Sequence, residues 1–208
     1  MILAHLHAYS DKNMDVSGGI FYHFRALRYQ KTLWRPYRES LAQALLTLAP
    51  PPNTGGQLLL IGPSAGHCLP FEWLGRYQTI AACDPDPIAR LWFTLRLKAR
   101  APASRLTWID PGSLLRPSVT SKEFDGARIA SQLDLLLGAA RFGASLTTVF
   151  FAGILGQLPL LFPQATDHAS YGRWQTSLFA VLTARGMTGL SLHDRLSAPL
   201  PLAIPPFS

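Results

Sequence analysis

The chain has almost nothing from which to build a covalent or metal framework. Its only cysteines are Cys68 and Cys83, with no CxxC pair and no Cys/His spacing of the zinc kind. That usage suits a reducing compartment, so a cytoplasmic location is expected. The opening MILAHLHAYSDKN has neither a charged start nor an apolar stretch behind it, and no signal peptide is expected. A Walker lysine is missing, and no internal repeat is visible. Charge is sparse too. Charged residues make up 15% against 48% hydrophobic, which excludes a charge-solvated disordered chain and fits a globular protein. At 208 residues there is room for one full domain, not for two ordinary ones.

Acidic residues are scarcer than basic ones, 12 against 19, leaving a net charge of +7. Such a balance suits an anionic partner, or an arginine-rich surface with no partner at all, since the basic residues are spread along the whole chain. No charge occurs between Phe142 and Thr166. That run is interrupted by Gly153, Gly156, Gln157, Pro159 and Pro163, so a buried strand followed by a loop is expected, and no membrane span.

The chain organises around a change of periodicity. FYHFRALRYQKTLW is expected to be helical until Pro36 interrupts it or opens a new helix. Trp34, Tyr37, Leu41, Ala44, Leu45 and Leu48 then recur at three- and four-residue steps, one apolar helical face. PPPNTGG closes this region. Residues 1–52 are therefore read as a lead-in and helical cap, and residues 53–208 as the main domain. From there QLLLIG, TIAACD, LTWID, TTVFFAG and GMTGLSLHD read as short strands. His67 to Arg76, PIARLWFTLRLKAR, Ala127 to Phe142 and Tyr171 to Thr183 read as the helices between them. Strands alternating with helices imply an α/β fold, three layers around a mostly parallel sheet. Ile88, Leu91, Trp92 and Leu95 are the expected buried face of the second of those helices. A strand at FDGARIAS is the alternative; its few β-branched residues and helix-compatible spacing favour a helix instead.

The chemistry sits in LLLIGPSAGHCLP. A strand running into Gly62-Pro63-Ser64-Ala65-Gly66 makes a small-residue turn at the strand's carboxyl end, where doubly wound sheets bind ligands. Small residues let a ligand reach the main chain, although a plain tight turn would also use them. Asp84 ends the second strand about twenty residues on, where a carboxylate can accept both hydroxyls of a ribose. Asp86, followed by Pro87, is the expected helix cap, which leaves Asp84 for another role. Asp110 ends the third strand before Pro-Gly, as a turn residue or a ligand for an adenine amino group. A nicotinamide fingerprint is disfavoured, because Ser64 and His67 stand where G-x-G-x-x-G needs glycine.

GPSAG with the spaced Asp84 and Asp110 resembles motifs I to III of the class I S-adenosylmethionine-dependent methyltransferases, and FFAGILGQLP looks like their fourth strand and following loop. The likeness covers roughly residues 57 to 160 and implies a Rossmann-like domain under an N-terminal helical cap. It also implies S-adenosylmethionine as cofactor, with Gly62, Ser64 and Gly66 at its methionine end, Asp84 at its ribose and Asp110 at its adenine. Leu60 and Ser64 depart from the acidic residue and middle glycine usual in that motif, and little chain follows SLHDRLSAPLPL for the customary last two strands. An Asn-Pro-Pro-Tyr signature after the fourth strand is absent, which argues against amino-group methylation on bases by that route.

No catalytic residue and no metal ligand is nominated, and the methyl acceptor, small or macromolecular, is left open. His67 is expected at a helix start facing solvent, Cys68 as a small buried residue, and His193-Asp194-Arg195 at the ligand edge of the fifth strand. In FYHFRALRYQKTLWRPYR, aromatics interleave with Arg25, Arg28, Lys31, Arg35 and Arg38. A helix docking by its aromatic face is the plainer expectation; nucleic-acid stacking is the sharper one. Three functions therefore compete: a methyltransferase, a catalytically silent domain of the same shape, and an RNA-binding or RNA-modifying protein.

Overall fold

The computed structural model describes residues 20–48, 55–109, 126–140, 147–152 and 168–192. Helix α1 (Ile20–Tyr29) and helix α2 (Arg35–Thr47) come first. Then follow β1 (Gln57–Ile61), the single turn α3 (Phe71–Leu74), β2 (Thr79–Cys83), α4 (Pro87–Arg100) and β3 (Arg105–Trp108). Helix α5 (Gly126–Ala140), β4 (Thr147–Ala152), α6 (His168–Ala184) and β5 (Thr188–Leu192) complete the order. The strands form one parallel sheet in the order β3-β2-β1-β4-β5, with Leu59 of β1 opposite Ala81 on one side and Val149 on the other. This is the expected α/β fold, Rossmann-like in its layering.

Burial on both faces explains why the central strands read as unbroken apolar runs instead of alternating ones. Leu58 and Leu60 point to one side, with Ile80, Ala82 and Phe150, and pack beneath Leu45, Trp73, Tyr77, Phe93 and Leu97. Leu59 and Ile61 point to the other, with Ala81, Cys83, Val149 and Phe151, and meet Leu136, Leu178 and Leu182 of α5 and α6. Leu60, where the methyltransferase motif carries an acid, is therefore a core residue of the first face and fully buried.

Three expectations need correcting. The helix foreseen from His67 to Arg76 shrinks to Phe71–Leu74, because Pro70 takes an extended conformation before it and disfavours helix at Leu69. On α4 the buried residues are Ala89, Phe93 and Leu97, while Leu91 and Leu95 stand 58% and 57% exposed. Two apolar stripes overlap in that sequence, and the sheet accepts the one centred on the largest ring. On α2 only Leu45 is fully buried; Tyr37 and Leu48 of the foreseen face are exposed. On α1, among the described side chains, His23 and Ala26 are buried and Phe24 is exposed, while Phe21 and Tyr22 lie outside them. Pro36 does open the second helix, after a turn over residues 30–34. Among the described residues no helix is long and apolar enough to cross a membrane.

Candidate functional site

The strand order turns around β1: β2 and β3 lie to one side, β4 and β5 to the other. Doubly wound sheets bind ligands beyond the carboxyl ends of the strands at such a switch point, and the segment that follows β1 there is Gly62 to Gly66. Its backbone is unusual. Gly62, Ser64 and Gly66 all have positive φ, at 70°, 51° and 67°. Two of these are residues without a Cβ; Ser64 is not, and it holds a conformation that costs a side chain on the order of 1 kcal/mol.

Asp84 is what holds it there. The Ser64 amide donates to Asp84 Oδ2 at 2.7 Å, and the Asp86 amide donates to Oδ1 at 2.9 Å. Main-chain ties add to this: the Gly62 amide to Cys83 carbonyl at 2.9 Å, and the Gly66 amide to Pro63 carbonyl at 3.0 Å. Asp84 is thus not left over once Asp86 has capped the helix; both its oxygens have amide partners. Burial pushes its carboxyl up from the ordinary value, against the pull of those two amides. One acceptor position on each oxygen remains for a ligand. From below, Phe93 closes the loop: a Cβ at Gly66 would lie 2.9 Å from its ring.

Asp86 does cap α4, accepting from the amides of Ile88 at 2.8 Å and Ala89 at 3.3 Å. Its second oxygen has a partner that sequence reasoning missed. Asp86 Oδ2 lies 3.1 Å from His23 Nε2, His23 Nδ1 lies 3.2 Å from His67 Nε2, and His67 Nδ1 lies 3.3 Å from Arg96 Nη1. Arginine can only donate and carboxylate can only accept, so the chain has one consistent direction. A run in which Arg96 donates to His67, His67 to His23, and His23 to Asp86 satisfies every one of these contacts. Arg96 also donates to the carbonyl of Ala65 at 2.8 Å, fastening the chain to the loop itself.

Burial, then the charge of Arg96, holds His67 down at about 4, so it is neutral at physiological pH. Burial raises the Asp86 carboxyl, but donation from His23 and from the Ala89 and Ile88 amides outweighs it and leaves a net lowering. Trp92 packs its ring against both imidazoles, 5.3 Å from His23 and 6.3 Å from His67 by centroid. His67, expected at the surface, is 2% exposed and joins α1 to the glycine loop. The signal that could have found it was a histidine on the inward face of α1 matched by a polar residue behind the loop. Neither position is marked by composition or motif.

No protein-family model matches this chain, and no curated protein matches it. The site must therefore be read from its own geometry. Gly62 and Ser64 are half-buried with their amides donated to Cys83 and Asp84, Gly66 is buried against Phe93, and Asp84 meets the loop from the end of β2. These four lie together. Asp110 lies outside the described residues, as do Gln157 and the His193-Asp194-Arg195 segment. Cys68, expected to be buried, is half-exposed. Among the described residues there is no cluster of three or more side chains suited to a metal ion.

Proposed function

We propose that the chain binds S-adenosylmethionine at the carboxyl edge of the sheet and transfers its methyl group to an acceptor. The observation that carries this reading is the loop of three left-handed residues at the β1 switch point, tied to the carboxylate that ends β2. The motif likeness over residues 57 to 160 supplies the identity of the cofactor. Gly62 and Ser64 would meet the methionine end, with Gly66 setting the turn. Asp84 would hold the ribose through its remaining acceptor positions, and Asp110 would meet the adenine. The bound sulfonium supplies an already activated methyl group. The chain's own work is then to hold the nucleoside, align the acceptor and exclude water.

Titration calorimetry with S-adenosylmethionine and its demethylated product tests this. Binding of both is expected, with a cofactor-dependent rise in melting temperature that Asp84→Ala removes. Absence of heat at millimolar cofactor would end the reading. A second reading rests on Asp84 itself, which is 5% exposed and engaged by two of the chain's own amides. A carboxylate so placed supports the loop whether or not a ligand comes, as in a catalytically silent domain that binds or braces a partner. Binding without methyl transfer to any acceptor offered would favour it.

A further inference from the structure

A separate concavity lies between the α1–α2 turn, the outer face of α2 and the segment just after the glycine loop. It is an open cleft of about 480 Å³ and shares no described lining residue with the Gly62–Gly66 loop. Lys31, Arg35 and Arg38 line it, with Glu39 as the acidic member among the described lining residues. Glu39 is taken by Arg35, whose Nε donates to it at 2.8 Å. Among the described residues, Lys31 and Arg38 have no carboxylate within ion-pair distance. Arg38 is further constrained: its Nη1 donates to the carbonyl of Gln30 at 3.0 Å, while its Nε is buried and has no hydrogen-bond partner among the described residues. A buried guanidinium donor left unmet carries a cost that an anion would relieve. Positive charge accumulates here from α4 as well. Arg96 is held down at about 10 by burial and then by Arg100 and Arg38.

We propose that this pocket seats the phosphate of a phosphorylated small molecule, anchored by Arg38 and Lys31. Phosphate is favoured over a simple carboxylate because three lining cations against one carboxylate leave two positive charges. A phosphate monoester near neutral pH carries a charge of about −1.5 to −2. A guanidinium also matches phosphate oxygens in a planar fork. A small molecule is favoured over a polymer because the volume falls within the range of ligand clefts, roughly 300–1,000 Å³. Ala42, Leu69 and Pro70 provide an apolar wall for the unphosphorylated part of the ligand.

Cys68 makes the pocket measurable, since it lines the wall and is half-exposed, whereas Cys83 is 1% exposed in the core. The experiment follows alkylation of Cys68 by neutral iodoacetamide, read by mass spectrometry of the full chain without added cofactor. Inorganic phosphate, a sugar phosphate, chloride and a single-stranded oligonucleotide are compared at matched ionic strength. The sugar phosphate is expected to slow alkylation, inorganic phosphate to do so more weakly, and chloride not at all. Arg38→Gln and Lys31→Gln should each weaken the protection roughly tenfold, the loss of one charge-assisted contact. Lys31 is exposed, so its variant keeps the test alive if Arg38→Gln does not fold. Equal slowing by chloride, or undiminished protection in both variants, would overturn the proposal. So would protection by the oligonucleotide at lower phosphate concentration than the sugar phosphate needs. Because no cofactor is present, none of these outcomes depends on the methyltransferase reading.

Discussion

On the face of the sheet that carries α3 and α4, β1 and β2 meet Trp73, Tyr77 and Phe93; on the opposite face they meet Leu136, Leu178 and Leu182. The first face is aromatic and ringed with cations. Arg96 and Arg100 lie over Phe71, at 5.1 and 5.3 Å from the ring centroid, and Arg90 lies over Trp108 at 5.5 Å. The second face is mostly aliphatic, and its one ion pair among the described residues, Arg185 with Asp134, lies at the surface. The glycine loop rests on the first. What the difference teaches is a division of labour: one face supplies apolar burial alone, and the other also fixes the backbone of a candidate binding loop.

The largest expected effect breaks the aromatic face. Phe93→Ala should cost about 3–5 kcal/mol, since Phe93 packs on Phe71 and Trp108 and underlies Gly66. It should also erase any cofactor-induced rise in melting temperature. Leu182→Ala, on the other face, should cost about 2–4 kcal/mol and leave that rise intact. Urea unfolding and thermal shift separate the two; loss of the cofactor response in both variants would erase the distinction.

Two glycines sharpen the same contrast. A Cβ at Gly66 would meet Phe93 at 2.9 Å, and one at Gly189 would meet Phe179 at 2.8 Å. Only Gly66 also has positive φ, so Gly66→Ala adds backbone strain to the clash. It should cost about 2–4 kcal/mol against about 1–3 for Gly189→Ala. Equal costs by urea midpoint would mean the loop relaxes freely.

A pH effect of intermediate size belongs to the aromatic face alone. His67 is held at about 4 in the fold and sits near 6.5 when unfolded, so the unfolded chain binds more protons between those values. Stability from this residue is complete above pH 6.5 and is lost as pH falls toward 4, by on the order of 2 kcal/mol after allowance for solvent screening. The groups facing it are Arg96 and Trp92 of α4, His23 of α1 and Arg38 of α2. Asp84, raised by burial, works in the opposite direction over part of the range. His67→Gln isolates the histidine: its urea midpoint should fall less between pH 7.5 and pH 5 than that of the unaltered chain. The smallest effect is Asp134→Asn, which removes only an exposed partner of Arg185 and should leave the midpoint unchanged within error.

Much of this fold was legible because strands and turns announce themselves locally. QLLLI, TIAAC and TTVFFA read as buried runs without reference to anything else, and Asp86 with Pro87 marked the start of α4 by cap chemistry. The loop was equally plain, since left-handed turns at Gly62 and Gly66 need glycine. The α4 face was misread because Leu91 and Leu95 are as apolar as Phe93 and Leu97, and periodicity does not say which stripe meets the sheet. Asp84 was located correctly, but its two amide partners come from the chain's own backbone, which no pattern of side chains records.

The sequence by itself determined the alternation of strand and helix, the parallel sheet and the place of the small-residue loop, because each follows from local backbone preference and apolar spacing. Only the tertiary structure decided that His23 and His67, 44 residues apart, share one hydrogen bond and run from Arg96 to Asp86. Such a chain forms because burial leaves those polar groups no water, so each must find its partner in whatever element packs beside it.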